Sequence, residues 1–130
     1  MGEDAVADQP CLWIPLFVYG SLMRGGQYHH LLGGGEFVAE DCLPNAQMYD
    51  LGPYPMVIWG SRCVYGERYR LPVHRLPTLD ALEEHPHVYE RQWADLASGE
   101  SAWVYVGRPQ FTHGYAEIIE GKWLRRSSIL

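Results

Sequence analysis

Leu16-Phe17-Val18-Tyr19-Gly20-Ser21-Leu22-Met23-Arg24-Gly25-Gly26 is the stretch on which the fold turns. Its first four residues are apolar without alternation. A strand with one wet face would alternate, so this one reads as covered on both faces. Gly20 and Ser21 break the strand and start a loop. A sharp turn there presents successive backbone N–H groups, which suit a carboxylate or a developing oxyanion. Gly25 and Gly26 give the loop access to backbone angles closed to other residues.

Outward from that strand the chain is a run of short β segments. Gln27 to Leu32 predicts a short helix, ended by Gly33-Gly34-Gly35. Glu36 to Cys42 and Gln47 to Leu51 predict two strands, separated at Pro44-Asn45. Gly52-Pro53-Tyr54-Pro55 is a turn, and Met56 to Trp59 extends briefly after it. Arg62 to Leu71 alternates, with Cys63, Tyr65, Tyr69 and Leu71 on one face and Arg62, Arg68 and Arg70 on the other. Leu76 to about Glu84 predicts a helix that Pro86 stops. Val88 to Leu96 and Ser101 to Val106 predict a hairpin around Ser98-Gly99-Glu100. In the tail from Phe111, Tyr115 and Trp123 are the expected anchors. Many short strands with few helices give an α+β class and a strongly curled or closed sheet.

With 130 residues, the chain suits one domain. The expected division is a disordered lead at 1–14 and a single domain at 15–130. A net charge of −6 argues against a nucleic-acid or anionic-membrane partner. Lys122, Arg125 and Arg126, the one basic cluster, read as a solvated tail. Cys11, Cys42 and Cys63 are an odd set without metal-ligand spacing, so they read as reduced thiols of a cytoplasmic protein. Met1-Gly2 lacks the downstream Ser or Thr of a myristoylation signal, because position 6 is Val6.

The predicted helix carries one carboxylate out of place. At about 100° per residue, Leu76, Leu79 and Leu82 form an apolar stripe centred near 300° when Leu76 is set at 0°. Glu83 falls near 340°, inside that stripe, while Asp80 near 40° and Glu84 near 80° point to solvent. Burial raises a carboxyl pKa toward the range useful to a general acid/base. The competing placement puts Glu83 at the helix edge or pairs it with an arginine such as Arg91.

Other motifs are weaker. His85 and His87 flank Pro86 and share a face of an extended segment, but no acidic or Cys partner pattern completes a metal site. His29 and His30 are adjacent and diverge. Ser21 lacks the Gly-x-Ser-x-Gly elbow of a nucleophile. Gly33-Gly34-Gly35 lacks the Lys-Ser/Thr of a phosphate loop.

Taken in order, Phe17 to Gly25, Gly52-Pro53-Tyr54-Pro55, Val64-Tyr65-Gly66-Glu67, Leu79 to Glu83, Tyr89-Glu90-Arg91 and Ile118 to Trp123 resemble the γ-glutamyl cyclotransferase-like superfamily. The branch most similar contains γ-glutamylamine cyclotransferases and plant avirulence-induced proteins. The resemblance spans roughly residues 15 to 123. It implies a small mixed β-barrel with flanking short helices, a small-molecule γ-glutamyl substrate, and no metal or organic cofactor. It places a substrate loop on Tyr19, Gly20, Ser21 and Leu22 and the acid/base on Glu83, with Tyr89 and Arg91 in support. Glu84 departs from the pattern, where glycine is frequent.

The implied reaction is intramolecular. The free α-amine of a γ-glutamyl group attacks its own γ-carbonyl, 5-oxoproline forms, and an amine or peptide leaves. Two alternatives stand beside it: the same chemistry on a specialised γ-glutamylated biosynthetic intermediate, and a small-anion binding module without turnover.

Overall fold

The computed structural model describes residues 12–124; most of the acidic lead, Cys11, and the Arg125–Arg126 pair lie outside them. Seven strands and one helix follow in the order β1 (Trp13–Val18), β2 (Glu36–Asp50), β3 (Pro55–Trp59), β4 (Arg62–Pro72), α1 (Leu76–Leu82), β5 (Tyr89–Asp95), β6 (Ser101–Gly107) and β7 (Ala116–Ile118). Short 3-10 turns occupy His29–Leu32, Val73–Arg75 and Pro109–Thr112.

The strands form one mixed sheet in the order β3-β2-β4-β1-β6-β5, with β7 laid against β2. β1 runs parallel to β6 and antiparallel to β4. The sheet curls into a half-barrel whose end strands are tied by side chains. The Tyr89 hydroxyl donates to the Pro55 carbonyl at 2.8 Å, and the Trp59 indole N–H donates to Gln92 Oε1 at 3.1 Å.

Curling gives the sheet two apolar faces, and β1 supplies both. Phe17 and Tyr19 join an inner cluster to which every strand contributes, including Leu43, Met48, Val57, Val64, Val104 and Ile118. Leu16 and Val18 join an outer cluster with Leu32, Leu71, Leu79, Tyr89 and Tyr105. Leu16, Phe17 and Val18 are almost wholly buried. Each such side chain contributes on the order of 1.5–3 kcal/mol by leaving water.

Several expected boundaries move. β1 starts at Trp13, so Trp13 and Ile14 belong to the sheet and not to a disordered lead. Residues 36–50 form one strand instead of two. Asn45 takes a left-handed φ of 58°, and the ladder with β4 shifts register between Leu43 and Ala46. A bulge thus absorbs the irregular pair Pro44-Asn45 without ending the strand. The helix expected at 27–32 is reduced to the 3-10 turn at His29–Leu32. β4 changes its buried side part-way: Cys63 and Tyr65 are exposed while Val64 is buried inside, and beyond Gly66 it is Tyr69 and Leu71 that are buried, on the other face. Of the two expected tail anchors, Tyr115 is exposed and Trp123 packs on the inner cluster, which Ile118 joins. No helix among the described residues is long and apolar enough to cross a membrane.

Candidate active site

The site is built where α1 ends. The helix stops at Leu82, with Glu83 as its cap at φ −85° and ψ −1°. Glu84 follows in the left-handed region at φ 54°. The His85 N–H donates to the Asp80 carbonyl at 2.9 Å, and the Glu84 N–H to the Ala81 carbonyl at 3.2 Å. This is a Schellman closure, whose left-handed position usually holds glycine. The geometry explains why glycine is favoured there and marks Glu84 as a strained, exposed substitute.

The closure turns Glu83 into a cavity of about 230 Å³ at the end of β1. Gly20, Ser21 and Leu22 form one wall, with Tyr19, Tyr54, Tyr89 and Tyr105 around them. Among the described residues no hydrogen bond or ion pair reaches the Glu83 carboxyl. Loss of water without a compensating partner pushes its pKa up to about 7. Burial also raises the Tyr89 and Tyr105 hydroxyls; the Glu83 charge raises Tyr89 further, and the hydrogen bond to Asp80 and its charge raise Tyr105 further.

Asp80, one turn earlier, has the opposite surroundings. The sequence wheel directs it to solvent, yet its carboxylate is clamped. Arg91 donates from Nε to Oδ1 at 3.0 Å and from Nη2 to Oδ2 at 2.9 Å, and the Tyr105 hydroxyl donates to Oδ1 at 2.7 Å. These donors, Arg91 first, hold the Asp80 pKa below the usual carboxylate range. The arginine considered as a partner for Glu83 is therefore committed to Asp80. Arg91 does not line the cavity; it positions Asp80, which positions Tyr105. His85 belongs to the same frame, since its Nδ1 accepts the Arg91 N–H at 3.0 Å. Among the described residues no three His, Cys, Asp or Glu side chains gather in a metal-binding arrangement.

The loop from Gly20 is fixed from both ends. A Cβ on Gly20 would lie 2.8 Å from Cγ of Pro55, so the loop packs against the Pro55 ring only because residue 20 has no side chain. At the other end buried Glu67 accepts the Arg24 N–H at 2.9 Å and the Tyr69 hydroxyl at 2.8 Å through Oε1, and the Arg24 Nε–H at 3.2 Å through Oε2. Between these anchors, the Ser21 and Leu22 N–H groups have no acceptor among the described residues. Tyr19 is committed to architecture: its hydroxyl donates to the Tyr105 carbonyl at 2.5 Å and accepts the Val57 N–H.

A rigid loop with open backbone donors thus faces an unpaired carboxyl across a small cavity, on a curled mixed sheet. The model of the family described as "Gamma-glutamyl cyclotransferase, AIG2-like" matches residues 16–125. The chain belongs to that family. It is 38% identical over 112 residues to the gamma-glutamylcyclotransferase family protein YtfP of Escherichia coli K12, covering 85% of this chain and 96% of that protein. It is 32% identical over 115 residues to gamma-glutamylaminecyclotransferase A of Danio rerio, covering 74% of this chain and 70% of that one. The crystal structure of c4763, a uropathogenic E. coli-specific protein, superposes with a TM-score of 0.75 at 27% identity, covering 85% of this chain and 92% of the other.

Within this γ-glutamyl cyclotransferase-like fold, the residues expected from sequence separate into two sets. Glu83, Tyr19, Gly20, Ser21, Leu22 and Tyr89 line one cavity, and Arg91 stands behind it. Sequence reasoning missed Tyr54, Tyr105, Asp80 and Glu67. Tyr54 lies in the quoted Gly52-to-Pro55 turn and Glu67 in the quoted Val64-to-Glu67 motif, so each had a local signal. Tyr105 had none, because its place depends on pairing between β1 and β6.

Proposed function

We propose that this chain is a γ-glutamyl cyclotransferase that releases 5-oxoproline and a free amine or peptide from a γ-glutamyl compound. The observation that carries the reading is the unpartnered Glu83 carboxyl, with a pKa raised to about 7, in the same cavity as the open N–H groups of Ser21 and Leu22. Glu83 takes a proton from the substrate α-ammonium. The freed amine nitrogen bonds to the γ-carbonyl carbon, and the developing oxyanion is met by the Ser21 and Leu22 N–H groups. Glu83 returns its proton to the leaving nitrogen as the bond from that carbon to it breaks. The ring nitrogen, which still carries a second proton, gives it up to the Glu83 carboxylate, and that proton leaves with the departing amine as its ammonium. Nucleophile and electrophile belong to one substrate molecule, so the protein supplies folded geometry and proton transfer. The chemistry calls for no metal or organic cofactor, and a cytoplasmic site suits the thiols.

The test is 5-oxoproline release from a panel of γ-glutamyl amines, amino acids and peptides by the wild type and Glu83→Gln. Turnover of at least one compound, lost in the variant and insensitive to chelators, is expected. No release from any compound, or full activity in Glu83→Gln, overturns the proposal.

A further inference from the structure

Cys42 on β2 and Cys63 on β4 have no part in the steps above and do not line the Glu83 cavity. The sheet register brings them to one face. Cys42 pairs with Tyr65, Leu43 pairs with Val64, and Cys63 follows next along β4. Leu43 and Val64 point into the inner cluster, so Cys42 and Cys63 both point away from it. Cys63 is exposed and Cys42 half-buried.

Diagonal neighbours across two strands are ordinarily about 7–8 Å apart, at the limit of what a disulfide spans. Here the bulge between Leu43 and Ala46 adds twist at the same place. The Cys42 and Cys63 thiols are within hydrogen-bond reach of one another, so rotation of the two side chains suffices to join the sulfurs. Both backbones are also held from outside β2 and β4. The Cys42 carbonyl accepts the Ala97 N–H at 2.9 Å, from the turn between β5 and β6. The Tyr65 N–H donates to the Gly121 carbonyl at 2.8 Å, and a Cβ on Gly121 would collide with the Cys63 carbonyl.

We infer that Cys42 and Cys63 form a thiol–disulfide exchange site that reacts with a low-molecular-weight disulfide and closes a reversible cross-link between β2 and β4. The exposed Cys63 thiolate attacks one sulfur of the small disulfide, and one small thiol leaves. Burial, and then the neighbouring Cys63, raise the Cys42 thiol pKa, so Cys42 reacts second. Its thiolate attacks the Cys63 sulfur, the S–S bond between the strands forms, and the second small thiol leaves. The two protons lost by the cysteines end on the two released thiols. Two protein thiols are oxidised and one small disulfide is reduced.

The test uses the full chain carrying Cys11→Ser, since Cys11 lies outside the described residues. The oxidant is bis(2-hydroxyethyl) disulfide, which has no γ-glutamyl group. Mass spectrometry should show a monomer two hydrogen atoms lighter, without adduct, that dithiothreitol returns to its starting mass. Peptide mapping should join Cys42 to Cys63. Closure should keep its rate on about tenfold dilution, as an intramolecular step does. Adding Cys42→Ser should instead leave a lasting adduct on Cys63. An unreacted chain, adducts that persist with both cysteines present, or a cross-linked dimer overturns the inference. If Cys42→Ser does not fold, the mass and peptide map of the Cys11→Ser chain decide the question alone. The cyclotransferase reading stands or falls separately.

Discussion

Asp80 and Glu83 stand three residues apart at the end of one short helix, and their surroundings differ in every respect that matters to a carboxyl group. Asp80 receives three hydrogen bonds from Arg91 and Tyr105, and its pKa is lowered. Glu83 receives none among the described residues, and its pKa is raised to about 7. The difference teaches how one helix end serves two purposes. The clamped carboxylate fixes the helix to β5 and β6, while the other carboxyl, largely desolvated, lines the cavity without a partner among the described residues. On the proposed function, structural stability and proton transfer fall to different neighbours.

The largest effect should come from exchanging each carboxyl for its amide. Glu83→Gln should lower kcat by 10²–10⁴-fold, the usual loss of general acid/base action. Its fold should gain at pH 8, by up to about 3 kcal/mol, because an unfavourable buried charge is gone. Asp80→Asn should do the reverse, costing about 1–3 kcal/mol of stability while reducing kcat less than tenfold. Rate assays beside urea denaturation at pH 8 check both. If Asp80→Asn were the inactive and stable variant, the division of roles would be wrong.

Next in size are the pH dependences. The folded pKa of Glu83 exceeds its unfolded value, so its contribution to stability is fully present below about pH 4.5 and is lost as pH rises through about 7. Asp80 has the opposite sign: its contribution is present above its unfolded pKa and is lost as pH falls through the lowered folded value. Stability measured from pH 3 to 9 should therefore show Glu83→Gln gaining on the wild type as pH rises. The Asp80→Asn deficit should shrink in acid. The wild-type rate should rise through about pH 7, a limb that Asp80→Asn retains.

The smallest expected effect is at Glu84. Glu84→Gly should stabilise the protein by about 0.5–1 kcal/mol, because glycine adopts φ 54° without penalty. Glu84→Gln should change kcat less than tenfold, since the exposed side chain has no role in the proton transfer. A melting curve for the first and a rate for the second suffice; a severe rate loss in Glu84→Gln would shift the acid/base assignment toward it.

The sequence revealed those parts that depend on local pattern. The uninterrupted run Leu16 to Tyr19 identified a strand buried on both faces, and the spacing of Leu76, Leu79 and Leu82 set Glu83 apart from Asp80 and Glu84. The same wheel misplaced Asp80. Its partners come from residues 91 and 105, and no periodicity within nine residues can report a contact with them. The continuity of β2 was hidden for a similar reason: Pro44-Asn45 has the local signature of a break, and only pairing with β3 and β4 on either side of the bulge carries the strand through. The face change in β4 depends on the curl of the whole sheet.

The Tyr19 hydroxyl donates to a carbonyl of β6 and accepts an N–H of β3. One phenol oxygen thus does for two strands what a further strand would do with its backbone, and it ties the curled sheet together at the lip of the Glu83 cavity. A proton engaged in that tie is withheld from chemistry, even though Glu83 is its neighbour. Loss of the oxygen in Tyr19→Phe would loosen the wall that holds the substrate loop and leave the proton shuttle chemically whole. The damage would surface as weak substrate binding and faster amide exchange at Val57, a mechanical fault in the vessel with the reagent untouched.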